Sequence, residues 1–290
     1  MPYHVNVMRS KTQYAELKDA KLAYRDTGSG VPVLFVHGAV SDHRVWEPMC
    51  EAFESTHRCV ALDLRHFGAS IGGDSSDFSL ETHSSDLGDF IEALQLGPVH
   101  LIGHSYGSVV ALAATVARPD LVASLFLSEP SLATAVTDAH DVSLLRAGRA
   151  ELAAVGEALT RADTTAAVES FFDWSAFAGA FASLPMKLRS VIVDNAPTLQ
   201  LLLSTPPPRI GGRDLAGIKV PVSILLGEKT KPYFAIQVRA VQQLVPNSVV
   251  ATNPDGYHGS IFVEANGFNQ ALANHLTSAP PRPAFSQPPE

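Results

Sequence analysis

The chain is poor in cysteine, in positive charge and in long hydrophobic runs, and each shortage excludes a class of protein. Cys50 and Cys59 are the only cysteines among 290 residues. Two cysteines build neither a disulfide framework nor a zinc-ligand cluster. We therefore expect two reduced, packed thiols and no metal.

Basic residues are outnumbered. Lysine and arginine total 21 against 29 aspartates and glutamates, which gives a formal net charge of −8. Nucleic acids and anionic membrane surfaces attract clustered positive charge. The charge balance therefore argues against both as partners.

Hydrophobic runs are short. None reaches the roughly 18 uninterrupted apolar residues of a membrane span, and residues 1–6 lack the features of a signal peptide. We therefore expect a cytoplasmic protein without membrane contact. Hydrophobic residues still make up 46% of the chain and charged residues 17%, which is typical of a globular protein with a sizeable core. The oligomeric state stays open, with a homodimer as one option.

Short apolar runs alternate with amphipathic segments at both ends of the chain. A strand pair is predicted at 14–30. Further strands are predicted at 33–37, 59–64, 99–103, 122–128, 220–227 and 248–252, and helices at 45–53, 80–96, 105–117, 233–244 and 261–276. Such alternation implies right-handed crossovers between parallel strands. The predicted fold class is α/β, with a mostly parallel central sheet flanked by helices.

The alternation stops at Pro130 and resumes after Arg213. The segment between them is rich in alanine and leucine and has a helical pattern. We predict a core formed by residues 1–130 and 214–277, a helical cap inserted at 131–213, and a disordered proline-rich tail at 278–290.

Residues 103–107 read Gly-His-Ser-Tyr-Gly, directly after a predicted strand and at the start of a predicted helix. Small residues at this place permit a sharp turn that lifts the serine clear of the sheet. The helix N-terminus directs free N–H groups towards a developing anion. The pattern predicts Ser105 as a nucleophile; a glycine-rich turn without chemistry is the alternative.

A serine hydroxyl needs a base to remove its proton, and the chain offers eleven histidines. His258 lies in a loop after the last predicted strand, at the sheet edge where functional groups of parallel sheets gather. We predict His258 as the base. His104 is expected to be packed, and His275, inside the final helix, is expected at the surface.

Five segments occur in the order seen in the α/β-hydrolase fold superfamily, which the chain resembles over about residues 20–130 and 218–276. They are His37-Gly38, the run 63–70, the Gly-His-Ser-Tyr-Gly turn, Arg118-Pro119-Asp120 and the run 256–259. The resemblance implies a capped serine esterase or lactonase without a cofactor. It also implies that the backbone N–H groups of Ala39 and Tyr106 form the oxyanion hole.

The third member of the implied triad departs from the commonest pattern. The resemblance implies an aspartate where Thr230 stands, and a threonine cannot stabilise an imidazolium. Two carboxylates are the candidates, Glu129 at the end of the strand 122–128 and Glu228. Glu129 is favoured because a carboxylate ending so apolar a run needs a cationic or hydrogen-bonding partner, which a histidine supplies. Some dehalogenases and lactonases of this fold supply their acid from this position.

These residues predict a hydrolase that cleaves a small to medium apolar ester or lactone through an acyl-enzyme. A perhydrolase or C–C bond hydrolase with the same triad, a receptor-like binding protein and an interfacial lipase are the alternatives. The expected apolar wall of the pocket lies in the cap, with Trp174 as the expected substrate contact; helix-packing core is the alternative for each residue. Its members are Phe171, Phe172, Trp174, Phe177, Phe181 and Met186.

Overall fold

A computed structural model describes residues 11–74, 77–263 and 265–279. Eight strands form one sheet in the order β1-β2-β4-β3-β5-β6-β7-β8. They are β1 (Gln13–Glu16), β2 (Lys21–Gly28), β3 (Val31–Val36), β4 (His57–Leu62), β5 (Val99–His104), β6 (Val122–Ser128), β7 (Val222–Gly227) and β8 (Val249–Asn253). β2 pairs antiparallel with β1 and β4, and the remaining pairs are parallel. The predicted mostly parallel α/β sheet is confirmed.

Twelve α-helices lie in the described part of the chain. They are α1 (Glu47–Phe53), α2 (Leu80–Ala93), α3 (Tyr106–Ala117), α4 (Ala139–Ala150), α5 (Ala153–Thr160), α6 (Thr164–Ser175), α7 (Ala180–Ser183), α8 (Met186–Asp194), α9 (Pro197–Ser204), α10 (Gly212–Ala216), α11 (Pro232–Leu244) and α12 (Asn266–Ser278). Seven of them, α4 to α10, follow one another between β6 and β7. None of the twelve is long and apolar enough to cross a bilayer. Most of the tail that the sequence predicts to be disordered, from residue 280 on, lies outside the described residues.

The central strands are buried on both faces, which explains their continuous apolar sequences. Every residue of β5 and β6 is buried. α2 begins where the Ser79 side chain accepts a hydrogen bond from the Thr82 N–H, and α3 ends at Ala117, two residues before Pro119. Because β5, β6 and β7 are parallel neighbours, their carboxyl ends meet at one edge of the sheet.

Polar contacts fix the helical segment to the sheet edge. Asn195, which follows α8, donates from Nδ2 to the Asp42 carboxylate at 2.7 Å and accepts the Gly68 N–H at 2.8 Å. The Lys187 ammonium pairs with the Glu47 carboxylate of α1. Both contacts join α8 to loops and helices of the sheet layer.

The prediction that His275 lies at the surface is wrong. His275 is 2% exposed, and its Nδ1 and Nε2 lie 2.8 Å from the hydroxyls of Ser223 and Ser124. Ser124 also contacts His100 Nδ1 at 2.7 Å. α12 turns this side chain towards β6 and β7, where two serines satisfy a polar ring that periodicity alone would place outside.

These buried histidines make stability sensitive to acid. Burial lowers the pKa of both His100 and His275 to about 4, whereas the unfolded chain titrates near 6.5. Between those values the unfolded state binds more protons, so the free energy of unfolding falls as pH drops through this window. We expect a lower urea midpoint at pH 5.5 than at pH 7.5.

His100→Gln tests this origin because the amide can still bond to Ser124 but does not titrate. We expect a smaller loss of stability on acidification in this variant, whereas the exposed control His140→Gln should behave as the parent protein. Equal losses in all three proteins would contradict the assignment.

Candidate active site

Ser105 lies on a sharp turn between β5 and α3. Its backbone has φ +52° and ψ −116°, a conformation that costs a non-glycine residue about 1–3 kcal/mol. The neighbouring glycines permit the close approach of the turn. A Cβ on Gly103 would lie 2.6 Å from the Ser108 Cα, and one on Gly107 would lie 2.3 Å from the His37 carbonyl oxygen. The Ser105 N–H donates to the Ser128 carbonyl at 2.9 Å and helps to hold the turn.

Three side chains form a continuous hydrogen-bond chain at this turn. The Ser105 Oγ lies 2.9 Å from His258 Nε2, and His258 Nδ1 lies 2.8 Å from Glu129 Oε2. All three residues are buried. Because the ionised carboxylate can only accept, Nδ1 carries the proton and Nε2 is left to accept from the serine hydroxyl. Phe234 stacks on the imidazole with a centroid distance of 3.6 Å and fixes the ring plane.

Glu129 is held as an acceptor by three donors. Its Oε1 accepts the Gly227 N–H at 2.8 Å and the Thr230 hydroxyl at 2.5 Å, while Oε2 faces His258. Thr230, at the position where the resemblance implies the acid, thus supports the carboxylate that comes from β6. Sequence reasoning missed this role.

The other carboxylates considered for the site lie elsewhere. Glu228 is exposed to solvent. Asp255 pairs with Lys229 at 2.7 Å and is also exposed. The structure therefore brings Glu129, and not these residues, into contact with His258.

Ala39 and Tyr106 lie beside Ser105, and both line the same cavity. The loop that carries Ala39 is anchored by His37, whose Nδ1 contacts the Gly38 carbonyl at 2.8 Å and whose Nε2 accepts the Leu64 N–H at 3.0 Å. Burial lowers the pKa of His37, which favours the neutral ring that this pair of bonds needs. Neither the Ala39 nor the Tyr106 N–H has an acceptor within the described part of the chain.

The Tyr106 side chain is fixed by a second neutral histidine. Its hydroxyl lies 2.8 Å from His83 Nδ1, and His83 Nε2 lies 3.2 Å from the Arg65 carbonyl. Burial lowers the pKa of His83 to about 3. The neutral ring donates from Nε2 and accepts from the tyrosine, so the first residue of α3 keeps one orientation.

A cavity of about 650 Å³ opens above Ser105 and His258, between the sheet edge and the helical segment. Among the residues expected to line it, Phe171, Phe172 and Trp174 do so. All three belong to α6, which runs over the serine. His104 also reaches the cavity but is packed, with burial lowering its pKa well below the usual value.

Three of the six expected pocket residues lie outside the cavity. Phe177 is 46% exposed and packs on Tyr257 at a centroid distance of 5.2 Å, because the chain turns away after α6 ends at Ser175. Met186 is 80% exposed at the start of α8. Phe181 is buried among the helices beside Phe172. The predictions that Phe177, Phe181 and Met186 line the pocket wall do not hold for this cavity.

Asp42, His43 and Asp63 form a buried cluster whose ligand atoms lie within 4.8 Å of one another. These atoms already have partners. Arg44 binds both oxygens of Asp42 at 2.8 and 2.6 Å, and His43 Nδ1 contacts Asp63 at 2.7 Å. A guanidinium inside the cluster supplies the positive charge that an ion would bring, so the cluster fits a structural network.

An eight-stranded, mostly parallel sheet with a serine on a strained strand-to-helix turn defines a class of α/β enzymes. The chain belongs to the alpha/beta hydrolase fold family, whose family model matches residues 31–265. This is a family of hydrolase enzymes.

Similar proteins cover several chemistries. The chain is 34% identical over 99 residues to (E)-2-((N-methylformamido)methylene)succinate hydrolase of Acinetobacter baylyi, a match that covers 34% of this chain and only 37% of that protein. Est816, described as an N-acyl homoserine lactone degrading enzyme, superposes with a TM-score of 0.74 at 17% identity over 90% of this chain and 99% of that one. A bromoperoxidase from Bacillus anthracis gives 0.75 at 21% identity over 92% and 100%. At these identities the structural likeness is one of fold.

Proposed function

We propose that the protein is a serine hydrolase of carboxylic esters or lactones that works through an acyl-enzyme. Ser105 is the nucleophile, His258 the general base and Glu129 the acid that orients and stabilises the imidazole. The observation that carries the proposal is the hydrogen-bond chain from the Ser105 hydroxyl through His258 to Glu129 at the floor of an open cavity.

The first half-reaction forms the acyl-enzyme. Ser105 Oγ attacks the ester carbonyl carbon while its proton passes to His258 Nε2. The carbonyl oxygen becomes an anion and accepts hydrogen bonds from the Ala39 and Tyr106 N–H groups, and each such donor is worth about 3–4 kcal/mol in related enzymes. Collapse of the tetrahedral intermediate breaks the ester bond, and the leaving alcohol takes the proton from His258.

The second half-reaction releases the acid. A water molecule gives a proton to His258 Nε2 and attacks the acyl carbon, and the new tetrahedral intermediate collapses with return of that proton to Ser105 Oγ. Throughout both steps Glu129 accepts from Nδ1–H and stabilises the transient imidazolium. A lactone follows the same course, except that the leaving alcohol stays attached to the acid.

The cavity suits a small or medium substrate. Its volume of about 650 Å³ falls within the range of roughly 300–1,000 Å³ that small-molecule sites occupy. Phe171, Phe172 and Trp174 give it an apolar wall, and the helices above the serine limit the entry of polymers.

A substrate panel tests the reaction class. We expect p-nitrophenyl esters of short to medium chain length, or lactones, to be turned over with a burst of acyl-enzyme formation. Peroxide-dependent halogenation and cleavage of vinylogous diketones are measured beside them. Turnover of either of these without ester or lactone hydrolysis would contradict the proposal and favour a perhydrolase or a C–C bond hydrolase.

A further inference from the structure

Two arginines of α4 face the cavity that contains Ser105. Val142, Leu145, Arg146 and Arg149 all line it, and their spacing of three, one and three residues places them on one face of the helix. The apolar pair and the cationic pair therefore share a single stripe along the cavity wall.

Neither guanidinium has a carboxylate partner among the described residues. Elsewhere in the fold, arginines that approach the sheet layer are paired, as Arg58 is with Asp26 and Arg65 with Asp86. Arg146, Arg149 and Arg161 are all exposed, and Arg161 also has no carboxylate partner among the described residues, but it does not line the cavity. In a chain with a net charge of −8, two cations without carboxylate partners at the same cavity favour an anionic group of a ligand there.

Contacts of Trp174 hold the end of α4 that carries these arginines. The Trp174 indole N–H donates to the carbonyl oxygen of Gly148, the residue next to Arg149, at 2.9 Å. Trp174 packs on Tyr233 of α11 with a centroid distance of 4.9 Å. Burial raises the pKa of Tyr233, and the positive charge of Arg149 acts against this rise. The end of α4 is thus held at the cavity, and its two arginines line the cavity while remaining exposed to solvent.

We propose that the protein selects esters whose acyl chain ends in a carboxylate, namely half-esters of aliphatic dicarboxylic acids, with Arg146 and Arg149 binding the distal carboxylate. This selection rests on the proposed ester hydrolysis at Ser105. The planar guanidinium fork matches a carboxylate through two parallel hydrogen bonds. The apolar side chains that line the same cavity accommodate the methylene chain, since burying apolar surface there is favourable.

The test compares half-esters with neutral esters of equal chain length. The substrates are the p-nitrophenyl half-esters of adipic and suberic acid, matched with p-nitrophenyl hexanoate and octanoate. The measured quantity is the ratio of kcat/KM for each half-ester to that for its neutral match. In the parent protein we expect a ratio of at least one. A purely apolar pocket would instead give a ratio far below one, because burying the unpaired carboxylate is costly.

The variant Arg146→Gln/Arg149→Gln should lower this ratio by roughly tenfold or more, which corresponds to the loss of about 1.4 kcal/mol of discrimination. Arg146→Lys/Arg149→Lys keeps the charge and should retain part of the ratio. Arg161→Gln is the matched control in the same helical segment and should leave kcat/KM unchanged for both the half-ester and the neutral ester. Because the site is partly exposed, raising the salt concentration to roughly 0.5 M should also lower the ratio in the parent protein.

The outcomes separate this inference from the proposed function. A ratio far below one in the parent protein, or a ratio unchanged by the double glutamine variant and by salt, overturns the selection of carboxylates while ester hydrolysis stands. A second readout does not need turnover: calorimetry on Ser105→Ala should show tighter binding of monomethyl adipate, whose distal end is a carboxylate, than of methyl hexanoate. Equal binding of the two esters would overturn the inference. Absence of ester hydrolysis in the parent protein would instead overturn the proposed function.

Discussion

Replacing Ser105 with alanine should lower kcat for ester hydrolysis by a factor on the order of 10⁶, as loss of the nucleophile does in other triad enzymes. The reason is that, among the described residues, the hydroxyl in contact with His258 Nε2 is that of Ser105. Steady-state hydrolysis of a p-nitrophenyl ester measures the loss. Alanine carries the same Cβ as serine at the strained turn, so the variant should fold as the parent protein does.

Ser131→Ala is the matched control for this loss. Its hydroxyl lies 3.2 Å from the Ser105 Oγ, so the substitution removes a neighbouring group of the same chemistry. We expect at most roughly a tenfold fall in kcat, the scale of one neutral hydrogen bond. A Ser105→Ala enzyme that keeps a tenth of the parent activity would contradict the role of Ser105.

Glu129→Gln should lower kcat by about 10⁴, the effect that the corresponding amide substitution has in a Ser-His-Asp enzyme. The amide oxygen can still accept from Gly227 and Thr230, which turns the amide N–H₂ towards His258 Nδ1. Nδ1 must then accept, and the proton moves to Nε2, where it blocks removal of the serine proton. The fold should survive because the shape and two hydrogen bonds are kept. The measurement is kcat together with the urea unfolding midpoint.

Two further variants are the comparisons for Glu129→Gln. Glu228→Gln changes an exposed carboxylate and should leave kcat within about twofold, the scale of a surface charge. Thr230→Val removes one of the three donors to Glu129. We expect a fall in kcat that is larger than that of Glu228→Gln and smaller than that of Glu129→Gln. If Glu228→Gln lost activity and Glu129→Gln kept it, the assignment of the acid would be reversed.

The sequence was informative where local geometry demands particular residues. The turn at Ser105 requires small neighbours, and the parallel alternation places the ends of β5, β6 and the loop of His258 at one edge. Glu129 could be inferred from the energetic cost of a carboxylate at the end of so apolar a strand. These arguments concern residues close to the sheet, whose positions the topology determines.

Other features depend on packing that a single sequence does not specify. Helical periodicity does not reveal which helix a given face meets, so it wrongly predicts Phe177, Phe181 and Met186 at the pocket and His275 at the surface. The support that Thr230 gives to Glu129 spans 101 residues and has no local signal. The arginines of α4 are also of this kind, because an unpaired cation looks the same in a sequence whether it faces solvent or a cavity.

Covalent labelling tests the central claim most directly. A fluorophosphonate reacts with a serine only when a base activates it, and peptide mass spectrometry locates the adduct. We expect one adduct per chain, on Ser105, absent in Ser105→Ala and formed far more slowly in Glu129→Gln. An adduct on another residue, or labelling of Ser105 at the same rate in Glu129→Gln, would contradict a nucleophile activated through His258 and Glu129.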